Sequence, residues 1–243
     1  MKRIAAIVVL LSTTFHLQAQ QEITLQLKHK KGDKFIQKSV VTDTTRIDEN
    51  EMVNWKELFV ENEVLEVTDT GTYIVKTVYK RIRMGATSAS EQYLYDTADT
   101  TDVDEKKAQI NDMIDQSITW EMGKHLEVIE VREATSEAME TMINQNEKRL
   151  ATIYPKEPVS MGYTWRTSQE NMEVVGTINE VTPTEVKANL IFKMVNNNDY
   201  INNGLLRIDR KTGQILELTS GMRVLKEKYF FSNMNGFYTA IKK

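Results

Sequence analysis

Val186-Lys187-Ala188-Asn189-Leu190-Ile191-Phe192-Lys193-Met194 alternates apolar and polar side chains almost without a break. Val186, Ala188, Leu190, Phe192 and Met194 share one face, the period-two signature of a strand with one side buried. Leu216, Leu218, Met222 and Val224 define one face of a further strand, and Ile23, Leu25 and Leu27 alternate with Thr24, Gln26 and Lys28 near the start. Lys31-Gly32-Asp33 then reads as a turn into a strand from Phe35 to Val41. Residues 58–68 form another strand, and Asp69-Thr70-Gly71 turns into Thr72–Met84, rich in β-branched and aromatic side chains.

Two segments break this pattern. Asp102-Val103-Asp104-Glu105 offers an N-cap with a carboxylate three residues on, and Ile110, Met113 and Ile114 follow at helical spacing. Thr135 or Ser136 caps a second helix with Ala138, Met139, Met142, Ile143 and Leu150 on one side. It stops before Tyr154-Pro155, because proline disfavours helical backbone in the residue before it. An amphipathic helix must cover something, and the sheet is the available surface. The predicted fold is therefore mainly β with two helices (α+β): a curved antiparallel sheet or half-barrel covered by amphipathic helices.

The chain also repeats itself. Gly32-Asp33-Lys34-Phe35 is echoed by Gly162-Tyr163-Thr164-Trp165, and Glu66-Val67-Thr68 by Glu180-Val181-Thr182, each of the latter followed by a turn and a strand. The hairpin wording of residues 119–128 returns at 206–218. The expected organisation is a leader at 1–19 and one β-rich domain at 20–243, built from two related halves at about 22–131 and 160–243 that share one sheet.

The leader reading rests on Met1-Lys2-Arg3, the apolar run Ile4–Leu11 and a small residue, Ala19, at the expected cleavage point. The run is far shorter than the ~20 residues that span a bilayer. The sequence contains no cysteine, which excludes a lipidated leader and disulfides. Export to the periplasm or beyond, without a lipid anchor, is the expectation. Removing Lys2 and Arg3 leaves 29 basic against 35 acidic residues, a net charge of −6. That surface disfavours nucleic acid and anionic headgroups. Lys28, His29, Lys30 and Lys31 form a local basic exception, read as a solvated hairpin end.

Histidine and cysteine chemistry is scarce. After the leader only His29 and His125 remain, no zinc or haem spacing occurs, and GxSxG and phosphate-loop patterns are missing. Asp96, Asp99 and Asp102, with Asp104 and Glu105, are weak candidates for metal binding. The competing reading is that these acids cap the helix they precede. Met113, Met139, Met142, Met194, Leu190 and Phe192 fall on apolar faces. They fill a core or line an adaptable apolar pocket. No cofactor is implied.

Lys31-Gly32-Asp33-Lys34-Phe35, Glu66–Tyr73, Tyr79-Lys80-Arg81-Ile82, Tyr95–Asp99, Pro155–Trp165 and Ile208–Gly213 together resemble an uncharacterised family of exported β-rich bacterial proteins, a domain of unknown function. Thr97 stands where that family's phrase has serine. The resemblance implies export and a β-rich fold, and transfers no catalytic residue. The plan of strands and helices is also similar to lipoprotein-carrier proteins, an analogy of architecture alone. The expected function is a non-enzymatic, soluble cell-envelope protein sheltering an apolar small molecule or lipid. An envelope interaction or assembly module with a protein partner, and a carboxylate-dependent hydrolase, are the alternatives.

Overall fold

The computed structural model describes residues 22–90, 92–99, 101, 105–136, 154–169, 172–194, 197–226 and 229–241. Twelve strands follow in order: β1 (Lys34–Ile47), β2 (Asn50–Val67), β3 (Tyr73–Thr87), β4 (Gln92–Asp96), β5 (Ser117–Met122), β6 (Val128–Ala134), β7 (Thr164–Gln169), β8 (Met172–Val181), β9 (Glu185–Met194), β10 (Asn197–Asp209), β11 (Ile215–Lys226) and β12 (Tyr229–Ile241). A helix, α1 (Glu105–Asn111), lies between β4 and β5. All the strands join one sheet in the order β6-β5-β3-β2-β1-β12-β11-β10-β9-β8-β7. β4 pairs with the far part of β3, Arg83–Thr87, while β5 pairs with its near part, Tyr73–Val78. Every pairing is antiparallel.

The period-two reading of β9 is visible in its burial: Val186, Ala188 and Leu190 are 0–1% exposed, whereas Asn189 faces solvent. The segment Ile23–Leu27 behaves differently from its reading as a strand. Its apolar side chains are buried, yet its only strand-like contact is an isolated bridge in which Ile23 and Val159 exchange hydrogen bonds of 2.7 and 2.8 Å. Residues 22–31 instead form a strap over one face of the sheet. Period two reports an extended chain with one buried side and carries no information about its backbone partners.

The strap shows how strongly the sheet rolls. Leu27 N donates to Lys124 O and Lys28 N to Thr212 O, both at 2.7 Å. Lys124 lies in the turn between β5 and β6, and Thr212 in the turn between β10 and β11. In the strand order β5 and β11 are five steps apart, about 24 Å in a flat sheet at ~4.8 Å per step. Neighbouring Cα atoms are only ~3.8 Å apart, so the sheet curls until both turns reach one strap. Inside the curl, Leu25 packs with Tyr154, Val159 and Trp165, while Leu27 packs with Phe35, Val64 and Tyr73. Leu126 touches both groups.

The expected α+β plan is overturned: the described residues are all-β in class, one twelve-stranded antiparallel sheet. Among the described residues the helical content is α1 alone, seven residues or about 10 Å at ~1.5 Å per residue, too short to cover a sheet. The Asp102–Asp104 start of the first predicted helix, and most of the second (residues 137–153), lie outside the described residues. The physical reason is competition for one surface. The face that helices were expected to cover is filled by the strap and by Tyr154–Val159, with Leu25, Leu27, Tyr154 and Val159 each at most 3% exposed.

Candidate functional site: a pocket beneath the strap

Between strap and sheet lies an open-mouthed pocket with a cavity volume of ≈ 100 Å³. The strap supplies Leu27 and His29, β1 supplies Phe35 and Gln37, and β2 supplies Asn62. Tyr73 and Val75 come from β3, Trp120 and Met122 from β5, Leu126 from the following turn and Val128 from β6. Gln214 from the β10–β11 turn and Ile215 and Leu218 from the start of β11 close the opposite side. The wall thus draws on β6 to β1 at one end of the strand order and on β11 beyond β12, and rolling of the sheet brings them together.

The polar groups of the wall are held in two sets. In the first, the buried His29 ring places Nδ1 3.3 Å from Asp33 Oδ2 and Nε2 2.6 Å from Gln214 Oε1. A carboxylate only accepts, so Nδ1 donates to Asp33, which also accepts from Lys30 N at 2.8 Å. A neutral ring then takes an N–H from a turned Gln214 amide, and a doubly protonated ring donates to its oxygen. In either state both ring nitrogens are occupied. The ring stacks on Phe35 (5.2 Å, 6°) and meets Tyr73 edge-on (6.1 Å, 86°). Tyr73 Oη donates to Leu27 O at 2.8 Å, and burial pushes its phenol up. In the second set, Thr77 Oγ1 donates to Asn62 Oδ1 at 2.6 Å and Asn62 Nδ2 donates to Gln37 Oε1 at 3.4 Å. The Trp120 indole N–H is buried without a hydrogen-bond partner among the described residues.

Sequence-predicted site residues lie elsewhere. Met113 packs against Val60, Tyr79 and Ile118. Leu190 is sealed in the core cluster around Trp165, and Phe192 packs against that cluster. Met194 ends β9, while Met139, Met142 and Asp102 lie outside the described residues. Asp96 sits at the end of β4, held by Arg81 and Arg83 and by Ala98 N. Its hydrogen bond from Arg81 takes its carboxyl down to about 2. Asp99 accepts from Thr101 Oγ1 and N at 2.7 and 3.0 Å, which lowers its carboxyl too. Among the described residues no group of three or more His, Cys, Asp or Glu side chains is arranged to hold a metal ion.

The solvated basic turn expected at residues 28–31 holds for Lys28, Lys30 and Lys31, which are exposed, but not for His29, which is 8% exposed. The available signal was that His29 continues the inward series Ile23, Leu25, Leu27. Asn62 carried the same signal, sitting between Val60 and Val64. His125 lies in the β5–β6 turn, where its Nδ1 is 3.1 Å from Leu25 O.

No protein-family model matches this chain, and no curated relative does. Among solved structures, a complex of MucA and MucB from Pseudomonas aeruginosa aligns with 85% of this chain and 94% of its own, at 6% identity and a TM-score of 0.16. A structure of MucB in complex with MucA(peri) aligns with 86% of this chain and 89% of its own, at the same identity and TM-score.

Proposed function

We propose that this protein is a non-enzymatic, exported cell-envelope protein that holds an apolar or lipid-like small molecule beneath its strap. The observation that carries this reading is the pocket wall, in which ten of fourteen residues are apolar or aromatic and four are polar. A mostly apolar wall with a few fixed polar groups is the usual make-up of small-molecule sites. The leader-like start and the resemblance to an exported family support the envelope setting. Among the described residues no helix is long and apolar enough to cross a membrane.

Native mass spectrometry of the protein purified from its own envelope, followed by organic extraction, tests this reading. One equivalent of an apolar adduct is expected. A bare mass, together with no uptake of added acyl compounds, would remove it. A second reading, an assembly module, draws support from β6, an edge strand whose Ile129 is 52% exposed. Crosslinking in the intact envelope separates the two: a module gives one recurrent protein partner through β6, and a carrier gives lipid adducts.

A further inference from the structure

We infer that the occupant of the pocket is an uncharged amphiphile whose head accepts hydrogen bonds, an acyl ester or amide rather than a fatty-acid anion or a quaternary ammonium. This rests on the reading of the pocket as a ligand site and narrows its chemistry.

Charge comes first. The wall contains no Asp, Glu, Lys or Arg among the described residues. An ion drawn in would lose its hydration and meet no opposite charge. Both ring nitrogens of His29 are taken by Asp33 and Gln214. The Asp33 carboxylate behind it repels an incoming anion.

Hydrogen-bonding sense comes second. Trp120 Nε1 is a donor only, and it is buried with no acceptor among the described residues. The contact between Gln37 and Asn62 engages Gln37 through its oxygen, leaving the amide N–H groups of Gln37 directed elsewhere. The wall therefore holds one donor, the Trp120 indole N–H, with no acceptor among the described residues. A buried donor without an acceptor is destabilising until something supplies one, and a ligand carbonyl does so without bringing charge. An aromatic wall of Phe35, Tyr73 and Trp120 would also suit a cation over its ring faces, but a cation leaves the indole N–H unmatched.

Three probes of equal chain length separate these cases: methyl laurate, laurate and lauryl trimethylammonium, each titrated into the purified protein at neutral pH. Methyl laurate is expected to bind at least about tenfold more tightly than either ion, the value of one well-placed hydrogen bond. Trp120→Phe should weaken methyl laurate about tenfold more than it weakens a hydrocarbon probe, dodecene. Gln37→Leu, on half-buried β1, gives a second variant should Trp120→Phe fail to fold, with the same contrast expected. Laurate or the ammonium binding as tightly as the ester overturns the inference while leaving the ligand-site reading intact, as does equal loss of ester and dodecene in the variants. Binding of none of the probes removes the ligand-site reading, and the inference with it.

Discussion

His29 Nε2 and Gln214 Oε1 lie 2.6 Å apart although 185 positions separate them in the chain. The contact fastens the strap to the β10–β11 turn and fixes one wall of the pocket. Gln214→Leu leaves a buried ring nitrogen without its partner, an expected loss of about 1–3 kcal/mol. Urea unfolding measures it, and trypsin should cut more readily after Lys28 or Lys30 as the strap loosens. An unchanged unfolding midpoint would show that the contact contributes nothing.

Gly213 tests the same fastening from the backbone side. Its φ is +69°, and an added Cβ would strike the Gln26 carbonyl of the strap. Gly71 is the matched control, with φ +81° and open space around the added carbon. Gly71→Ala should lose roughly 1–2 kcal/mol from left-handed backbone alone. Gly213→Ala should lose distinctly more, because the strap must also move. Equal losses in the two variants would place the strap farther from the turn than described here.

Burial raises the Tyr79 phenol to about 12 from its ordinary 10, and Tyr154, fully buried, is pushed well up too. A raised value means that the folded state holds the proton more tightly than the unfolded chain. The contribution is complete below pH 10 and lost as pH climbs toward 12, at most about 3 kcal/mol for Tyr79. Unfolding free energy measured across that window should fall, and Tyr79→Phe should flatten the slope. Tyrosinate absorbance rising for every tyrosine near pH 10 would contradict it.

Asp96 works in the opposite direction. Arg81, Ala98 N and Arg83 favour its ionised form, so its contribution is present above about pH 4 and disappears as pH falls toward 2. The pair is open to solvent, with side chains 45% and 19% exposed for Arg81 and Asp96. Asp96→Asn is therefore expected to change stability at neutral pH by less than about 1 kcal/mol and to leave ligand uptake unaltered. A variant that folds normally but no longer takes up ligand would return Asp96 to the list of functional residues.

Strands were legible wherever one face is buried, as Val186, Ala188 and Leu190 show. The repeated wording at Gly32 and Gly162 has a repeated geometry. Gly32 N donates to Val64 O while Val64 N donates to Asp33 O, and Gly162 N donates to Ile178 O while Ile178 N donates to Tyr163 O. Partnership was the illegible part. Alternation in Ile23–Leu27 gives a buried side, but nothing local distinguishes a strap over a sheet from a strand within it. The apolar stripe around Met113 likewise says that this side is covered without naming Val60, Tyr79 and Ile118 as its cover. Half of the site was readable, since His29 and Asn62 interrupt inward apolar series. Trp120 and Gln214 line one pocket only because the sheet rolls, and roll is set by long-range packing.

The most direct test is an equilibrium titration of the purified protein with methyl laurate, run beside Val128→Trp. Val128, at the start of edge strand β6, is half-buried on the pocket wall, so an indole there occupies the space while disturbing few neighbours. A saturable isotherm with one site is expected for the native protein, weakened at least about tenfold in the filled variant. No saturable binding by the native protein, or equal binding by both, would contradict a ligand beneath the strap.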